Sequence, residues 1–363
     1  MSQSSSAMVP NKTVLFCGGG TLGPVTPLLA VAKTLQTISP DREQNWITTP
    51  AGPENQLLRE YSFNPISFSA PKLQRNKLYL LPFVIIQLLI ALVNARKLVK
   101  QINPGLVVIA GGYVGVPLAL IAWWFKIPII VHQLDLQIGL ANQLIIPLAS
   151  SVTTSWPQTA DKLKKNQAKY LGTIVRSDLN AGRAELAQER FGLRPNFPTV
   201  LILGGGTGAL SINEKILSIA SQLLPHCNLL HVVGRGKLVT GLTTLGAGYH
   251  AVEYLGAGLA DAYAVADLVV SRAGMGTIME LSVLAKPTIL VPLAGPQTIN
   301  ATACSIGEAV QLPPLDTAQS LAQTILHLLQ DEHQRFKLKT NLHELFIHGG
   351  EVALAKIIVD QLR

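Results

Sequence analysis

The sequence predicts an α/β protein made of two Rossmann-like parallel-sheet domains facing a cleft. Three observations predict it. The stretch "TVLFCGGGTLGPVTPLLAVAKTL" (13–35) reads as strand, glycine turn and helix, and "TVLILGGGTGALSINEKILSIASQL" (199–223) writes the same design again. Apolar β-branched runs alternate with helical stretches, the pattern of parallel strands covered by helices on both faces. A chain of 363 residues, 48% of them hydrophobic, is enough for two cores of ordinary domain size.

Taken in order, the strand candidates of the first half are "TVLFC", "NWITT", "PISFS", "LVVIAG", "PIIVH" and "SVTTS". Those of the second half are "TVLIL", "NLLHVV", "HAVEYL", "LVVSR" and "TILVP". Between the halves, "VRSDLNAGRAELAQERFGLRPNFP" is polar and proline-containing and reads as a linker. At the end, "GGEVALAKIIVDQLR" reads as a helix after a Gly-Gly break, expected to pack back on the first domain. The expected division is residues 1–178, a first Rossmann-like domain; 179–345, a second; and 346–363, the returning helix.

Twenty-nine Lys and Arg against 21 Asp and Glu leave a net charge of +8, which favours anionic partners. With no Lys/Arg-rich run and no nucleic-acid-binding motif, the expectation is no nucleic acid, leaving phosphate-bearing ligands or an anionic membrane surface. Cys17, Cys227 and Cys304 lie far apart without a CxxC pair, which argues against a disulfide framework or a zinc site. The opening "MSQSSSAMVPNK" lacks the basic-then-apolar order of a signal peptide.

A glycine turn between strand and helix lets a ligand approach the backbone, and the helix N-terminus presents free N–H groups and a partial positive charge to an anion. Two such loops at matching places in two sheets point to a site beyond the carboxyl ends of the strands, in a cleft between domains. Neither loop is a dinucleotide fingerprint, because no acidic residue ends "NWITTPAG" where a ribose-binding carboxylate would stand. The richest stretch is "ADLVVSRAGMGTIMEL". There a strand ends at Arg272, and free N–H groups at Gly276 and Thr277 could hold a diphosphate. Glu280, in the first turns of the helix, either complements its N-terminus or accepts hydrogen bonds from ribose hydroxyls. Arg272 either contacts the ligand or makes a structural ion pair. That chemistry fits a nucleotide sugar.

An apolar run, Leu78 to Asn94, lies between Lys72, Arg75 and Lys77 on one side and Arg96, Lys97 and Lys100 on the other. It is short for a span of about 20 residues, and it contains Pro82 and Gln87. A helix lying in the headgroup layer fits better, with Leu80 and Phe83 toward lipid. A core helix covering the sheet is the other reading.

Several motifs occur in order: "GGGTLGPVTPLLAVA", "VVIAGGYVGVPLALIAWWFKIPIIVHQLDLQIGLANQLI", "GTIVRSDL", "GGGTGALSIN", "ADLVVSRAGMGTIMEL", "KPTILVPL" and "QTINA". With them the chain resembles, from about Thr13 to Arg363, the MurG-type N-acetylglucosaminyltransferases of glycosyltransferase family 28. The resemblance implies a GT-B fold, UDP-N-acetylglucosamine as donor, lipid I as acceptor, inversion at the anomeric carbon, and neither cofactor nor bound metal. It also implies a peripheral place on the cytoplasmic face of the cell membrane, with cell-wall synthesis proteins as further partners. Carried over by motif, Gly206 matches a donor-phosphate position that is usually serine, Arg176 the arginine of an "NPVR" motif, and Leu255 the residue whose backbone reads the uracil edge. Met275, Gly276, Thr277 and Glu280 match the phosphate and ribose segment, and Gln297 and Asn300 the residues near sugar and phosphates. Thr21, Leu22 and Gly23 match the first loop's Thr-Gly-Gly, facing the acceptor diphosphate and the transferred sugar.

The departures concern the acceptor side. Pro24 stands where the family pattern has a histidine, the favoured general base, and "HQLD" replaces "HEQN", with Gln133 for glutamate and Asp135 for asparagine. An inverting transfer needs a base at the acceptor hydroxyl. Asp135 is the expected base, against a reading as helix N-cap; His132 is the second candidate, against a reading as a core histidine. Asn142 is expected to support the acceptor or the structure. The altered loops leave two alternatives: another lipid-linked acceptor, or a non-catalytic scaffold that binds nucleotide sugar.

Overall fold

The computed structural model describes residues 12–72, 79, 81–204, 210–238 and 246–363. The first half is β1 (Val14–Cys17), α1 (Val25–Ile38), β2 (Gln44–Thr48), α2 (Glu54–Glu60), β3 (Pro65–Ser67), α3 (Leu81–Ile102), β4 (Leu106–Ile109), α4 (Gly115–Trp124), β5 (Ile129–Gln133), α5 (Leu140–Ile145), β6 (Ser151–Thr154), α6 (Pro157–Lys162) and β7 (Lys169–Tyr170). The second half is α7 (Ala184–Phe191), β8 (Thr199–Leu203), α8 (Leu210–Leu223), β9 (Asn228–Val232), β10 (Tyr249–Val252), α9 (Leu259–Val265), β11 (Leu268–Ser271), α10 (Met275–Val283), β12 (Thr288–Leu290), α11 (Pro296–Ile306), α12 (Ala318–Gln330), α13 (Glu332–Glu344) and α14 (Gly350–Gln361).

The strands make two sheets, in the orders β3-β2-β1-β4-β5-β6-β7 and β10-β9-β8-β11-β12, with every pair parallel. β1, β4 and β8 are buried along their whole length. Continuous apolar runs form such strands because helices cover both faces. In each sheet the strand order reverses at the first strand, so the loops after β1 and β8 open at switch points where ligands can reach the backbone. The loop after β4 crosses the first glycine loop closely. At Gly112 (φ +92°) an added Cβ would lie 2.9 Å from the Gly19 carbonyl oxygen, so both backbone angle and space call for glycine.

Each strand candidate read from the sequence forms a strand, and the edge strand β7 was not among them. The expected linker is ordered instead. It holds a 3-10 turn, Ser177–Ala181, and α7, whose Ala187 and Phe191 are buried in the main core. α7 ends on Gly192 in the left-handed conformation and packs on α9. The last helix, α14, returns to the first half and lies along α1. Its N-terminus is tied there, with the Gly350 amide donating to the Thr173 carbonyl at 2.9 Å.

The two sheets share one core cluster. α10, from the second half, seats its buried face on the first. Trp156 Nε1 donates to Met275 Sδ at 3.1 Å, and Ser155 Oγ donates to Met279 Sδ at 3.4 Å.

Candidate active site

A cavity of about 610 Å³ lies where the two halves meet, bordered by the loop after β1 and the N-terminal ends of α8 and α10. Its size is that of a small-molecule pocket. Thr21, Leu22 and Gly23 line it from the first half, joined by Thr26 on α1 and Leu57 on α2. Arg176 comes from the segment that joins the halves, and from the second half come Leu255, Arg272, Met275, Gly276, Thr277, Glu280 and Gln297. Residues that sequence reasoning scattered over four motifs therefore meet in one place.

α10 begins after Gly274, an extended N-cap without a side-chain cap. The amides of Met275, Gly276 and Thr277 thus have no intrahelical partner and face a cavity they line. Space beside Gly276 is tight, since a Cβ there would stand 3.2 Å from Thr26 Oγ1. One turn on, Glu280 accepts a hydrogen bond from the Tyr263 hydroxyl at 2.7 Å. Burial pushes the Glu280 carboxyl above its ordinary range, while the Arg176 guanidinium and the Tyr263 bond pull it down. Burial likewise opposes the charge of Arg176, but Glu280, Tyr61 and Asp178 outweigh it and hold the guanidinium above its usual value. The pair can present one acceptor and one cation to a nucleotide.

Arg272 takes neither expected role cleanly. It borders the cavity, but its guanidinium donates to the Val291 carbonyl at 2.7 Å, the Pro292 carbonyl and the Ser211 hydroxyl. It ties the end of β12 to the start of α8 with no ion-pair partner among the described residues, so the expected structural ion pair is replaced by carbonyl capping. Gln297 Oε1 accepts from the Leu293 amide at 3.1 Å. Gly206 lies outside the described residues, as do Arg75, Lys77 and Leu80.

Two acceptor-side expectations, His132 and Asn142, and one donor-side expectation, Asn300, change. His132 is fully buried on β5, with Nδ1 2.9 Å from Thr153 Oγ1 and Nε2 3.0 Å from Ser155 Oγ. Burial pushes its pKa down to about 3, so it is a core histidine with both ring nitrogens engaged, and it does not border the cavity. Asn142 is also buried, its Nδ2 donating to Gln133 Oε1 at 2.6 Å, and it does not border the cavity. Asn300, expected near sugar and phosphates, is 0% exposed and turned to the seam between the halves. Its Nδ2 donates to Asp135 Oδ1 at 2.9 Å and to the Ala273 carbonyl, and its Oδ1 accepts from the Leu136 amide at 3.2 Å.

Asp135 is partly buried in the loop after β5. Gln133, the residue that departs from the family pattern, shapes that loop by donating to the carbonyls of Asp135 (2.7 Å) and Gln137 (3.2 Å). The N-cap of α5 is Gly139, so Asp135 caps no helix. Burial raises its carboxyl pKa and the Asn300 bond opposes the rise. Pro24 is the N-cap of α1 and brings no proton-accepting group to the first loop.

Sequence reasoning missed Tyr61, Tyr254 and Tyr263. The first two stand on the seam and the third beneath Glu280. A buried acid was also missed: Glu54, 0% exposed, receives the amides of Gly20 (3.0 Å) and Thr49 (3.2 Å) and fixes the first glycine loop. A carboxylate opening a short helix carries no local signal of that task.

The chain matches the glycosyltransferase family 28 N-terminal domain over residues 14–154 and its C-terminal domain over residues 199–351. A Lachnoclostridium phytofermentans protein named UDP-N-acetylglucosamine–N-acetylmuramyl-(pentapeptide) pyrophosphoryl-undecaprenol N-acetylglucosamine transferase is 37% identical over 80% of this chain and 82% of its own length. An Oceanobacillus iheyensis protein of the same name is 32% identical over 93% of this chain and 98% of its own. Among solved structures, Acinetobacter baumannii MurG superposes with a TM-score of 0.71 at 23% identity, covering 96% of this chain and 99% of that one. The fold is therefore GT-B, and the chain belongs to glycosyltransferase family 28, among its MurG-type transferases.

Proposed function

We propose that the protein transfers N-acetylglucosamine from UDP-N-acetylglucosamine to undecaprenyl-diphospho-N-acetylmuramoyl-pentapeptide, lipid I, giving lipid II with inversion. The observation that carries this reading is the α10 N-terminus with Glu280 and Arg176 in one cavity, in a chain whose relatives bear that transferase's name over most of their length. Those names favour this acceptor over a different lipid-linked one and over a non-catalytic scaffold.

The donor diphosphate sits on the amides of Met275, Gly276 and Thr277, the ribose hydroxyls on Glu280, and the uracil edge on the Leu255 backbone. Thr21 to Gly23 face the transferred sugar and the acceptor diphosphate. As the acceptor oxygen bonds to the anomeric carbon, the bond to UDP breaks. Charge then grows on the leaving diphosphate, where the helix N-terminus and Arg176 stabilise it. The hydroxyl proton goes to Asp135. That residue does not itself border the cavity; its link to it is the contact with Asn300, one turn along α11 from the cavity residue Gln297, and burial raises its carboxyl pKa.

The membrane lies against α3. Phe83, Ile86, Leu89, Ile90 and Val93 are each more than half exposed, while Ala91, Ala95 and Val99 face the core. Trp123 and Trp124, at the end of the adjoining α4, extend the exposed apolar surface. Exposed Lys72, Arg96, Lys97 and Lys100 border it. Residues Pro82–Ile102 are long and apolar enough to cross a bilayer, with a mean hydropathy of 1.7. The buried alanine side seats the helix on α4 instead, so its apolar face suits the headgroup layer of the cytoplasmic leaflet. Cell-wall synthesis proteins at that surface are the expected further partners.

The test is turnover of UDP-N-acetylglucosamine with a short-chain lipid I analogue, reading disaccharide and UDP. Asp135→Ala lowers kcat by about 100-fold or more with UDP affinity unchanged; an active variant would remove Asp135 as base. Glu280→Ala weakens UDP binding by about 10–100-fold, and unchanged affinity would contradict the ribose contact.

A further inference from the structure

We propose that Tyr61 is a positioning residue for donor binding, reaching from the end of α2 across the seam to fix Arg176, while its neighbour Glu60 fixes the Tyr254–Gly256 turn. The inference rests on the donor reading given above, and it assigns a donor-binding task to the domain that faces the acceptor.

Tyr61 is the C-cap of α2, in the first half. Its hydroxyl accepts from Arg176 Nη1 and donates to Asp178 Oδ2. The Arg176 guanidinium also lies 5.2 Å from the centroid of the Tyr61 ring. Arg176 is only 6% exposed, borders the cavity, and keeps a buried Nε without a hydrogen-bond partner among the described residues. One residue back, Glu60 Oε2 accepts from the Tyr254 hydroxyl at 3.0 Å, and the Arg235 guanidinium stands 4.4 Å from the Tyr254 ring. Tyr254, Leu255 and Gly256 border the cavity, and Gly256 sits at φ +53°, tight against the Tyr254 ring.

The physical reason is preorganisation. A free arginine side chain carries rotamer entropy that is lost if it is ordered only when the ligand arrives. Ordering it beforehand moves that loss out of the binding step. A phenol does this without neutralising the charge, whereas the Asp178 carboxylate stands back at 3.8 Å from Arg176 Nη1. With both links made, two donor contacts depend on α2 lying against the second half.

The test is Tyr61→Phe, which keeps the ring and removes the hydroxyl, read by UDP titration calorimetry and steady-state kinetics. The expected result is a rise of about fivefold in both the UDP Kd and the KM for UDP-N-acetylglucosamine, with kcat within about twofold and an unchanged melting temperature. In an Arg176→Ala background the same substitution has no further effect on Kd, because the hydroxyl acts through Arg176. A Kd within about twofold of wild type, a fall in kcat alone, a loss of melting temperature without a Kd change, or an undiminished effect in the Arg176→Ala background each overturns the proposal. If Tyr61→Phe does not fold, Asp178→Asn weakens the other bond of the same hydroxyl, and the same readings decide. Wild-type protein that fails to bind UDP at all overturns the donor reading itself, an outcome distinct from those above.

Discussion

Asp135 and Asn300 set opposing pressures on one carboxyl group: burial raises its pKa and the amide bond lowers it. A base works deprotonated, so the rate climbs as pH rises through that pKa. Removing the amide in Asn300→Ala lifts the pKa further, and the acidic limb of the kcat/KM profile moves to higher pH; a limb that stays put or moves down counts against Asp135 as the titrating group. Tyr263 raises a parallel case. Burial first, and Glu280 second, hold its hydroxyl pKa far above the ordinary value, so it stays a donor to Glu280 across the working range. Tyr263→Phe leaves that carboxylate short of a partner and raises its pKa, so UDP affinity falls off earlier as pH drops; an unshifted pH dependence of Kd shows the bond to be without influence. The helix opening around Gly276 and its place at the cavity were legible because helix chemistry is local: a glycine opening, free amides and an acid one turn later. Tyr61 was not, because its partners Asp178 and Arg176 stand 117 and 115 positions away. His132 was ambiguous because residue type does not reveal whether both ring nitrogens find partners.

At the scale of elements, the strands were legible because burial on both faces demands unbroken apolar runs, as in "VLFC" and "TVLIL". β7 has two residues and no such run. The helix inside the stretch read as a linker went unseen for a related reason: α7 buries little more than Ala187 and Phe191, too few apolar positions in a polar, eight-residue helix to stand out. α3 posed the opposite problem, being apolar nearly all round. The core reading holds for one face, alanine and Val99 inward, and the other face leaves Phe83 and Leu89 exposed. Replacing Leu89 and Val93 together by Asp should lower partition into vesicles containing anionic lipid by at least about tenfold, leaving turnover of a water-soluble acceptor analogue intact. Undiminished partition would place the membrane elsewhere.

For the whole molecule, the seam is both core and cavity wall. Met275 and Met279 rest on Trp156 and Ser155, so the helix whose N-terminus opens on the cavity is anchored by the opposite half. α14 adds a covalent return, with Leu354 and Ile358 fully buried and Leu362 nearly so. Deleting residues 350–363 removes these contacts, at about 1.5–3 kcal/mol per side chain, comparable to the net stability of a domain. The truncated chain should therefore fail to show a cooperative urea transition for its first half; a transition with unchanged midpoint would make the return helix dispensable. The same arrangement constrains biosynthesis. α1 emerges from the ribosome early, yet the helix that roofs it is translated long afterward. Until then its greasy flank has no native cover, which makes the nascent half a client for chaperones and leaves it exposed to premature stops near the 3′ end of the message.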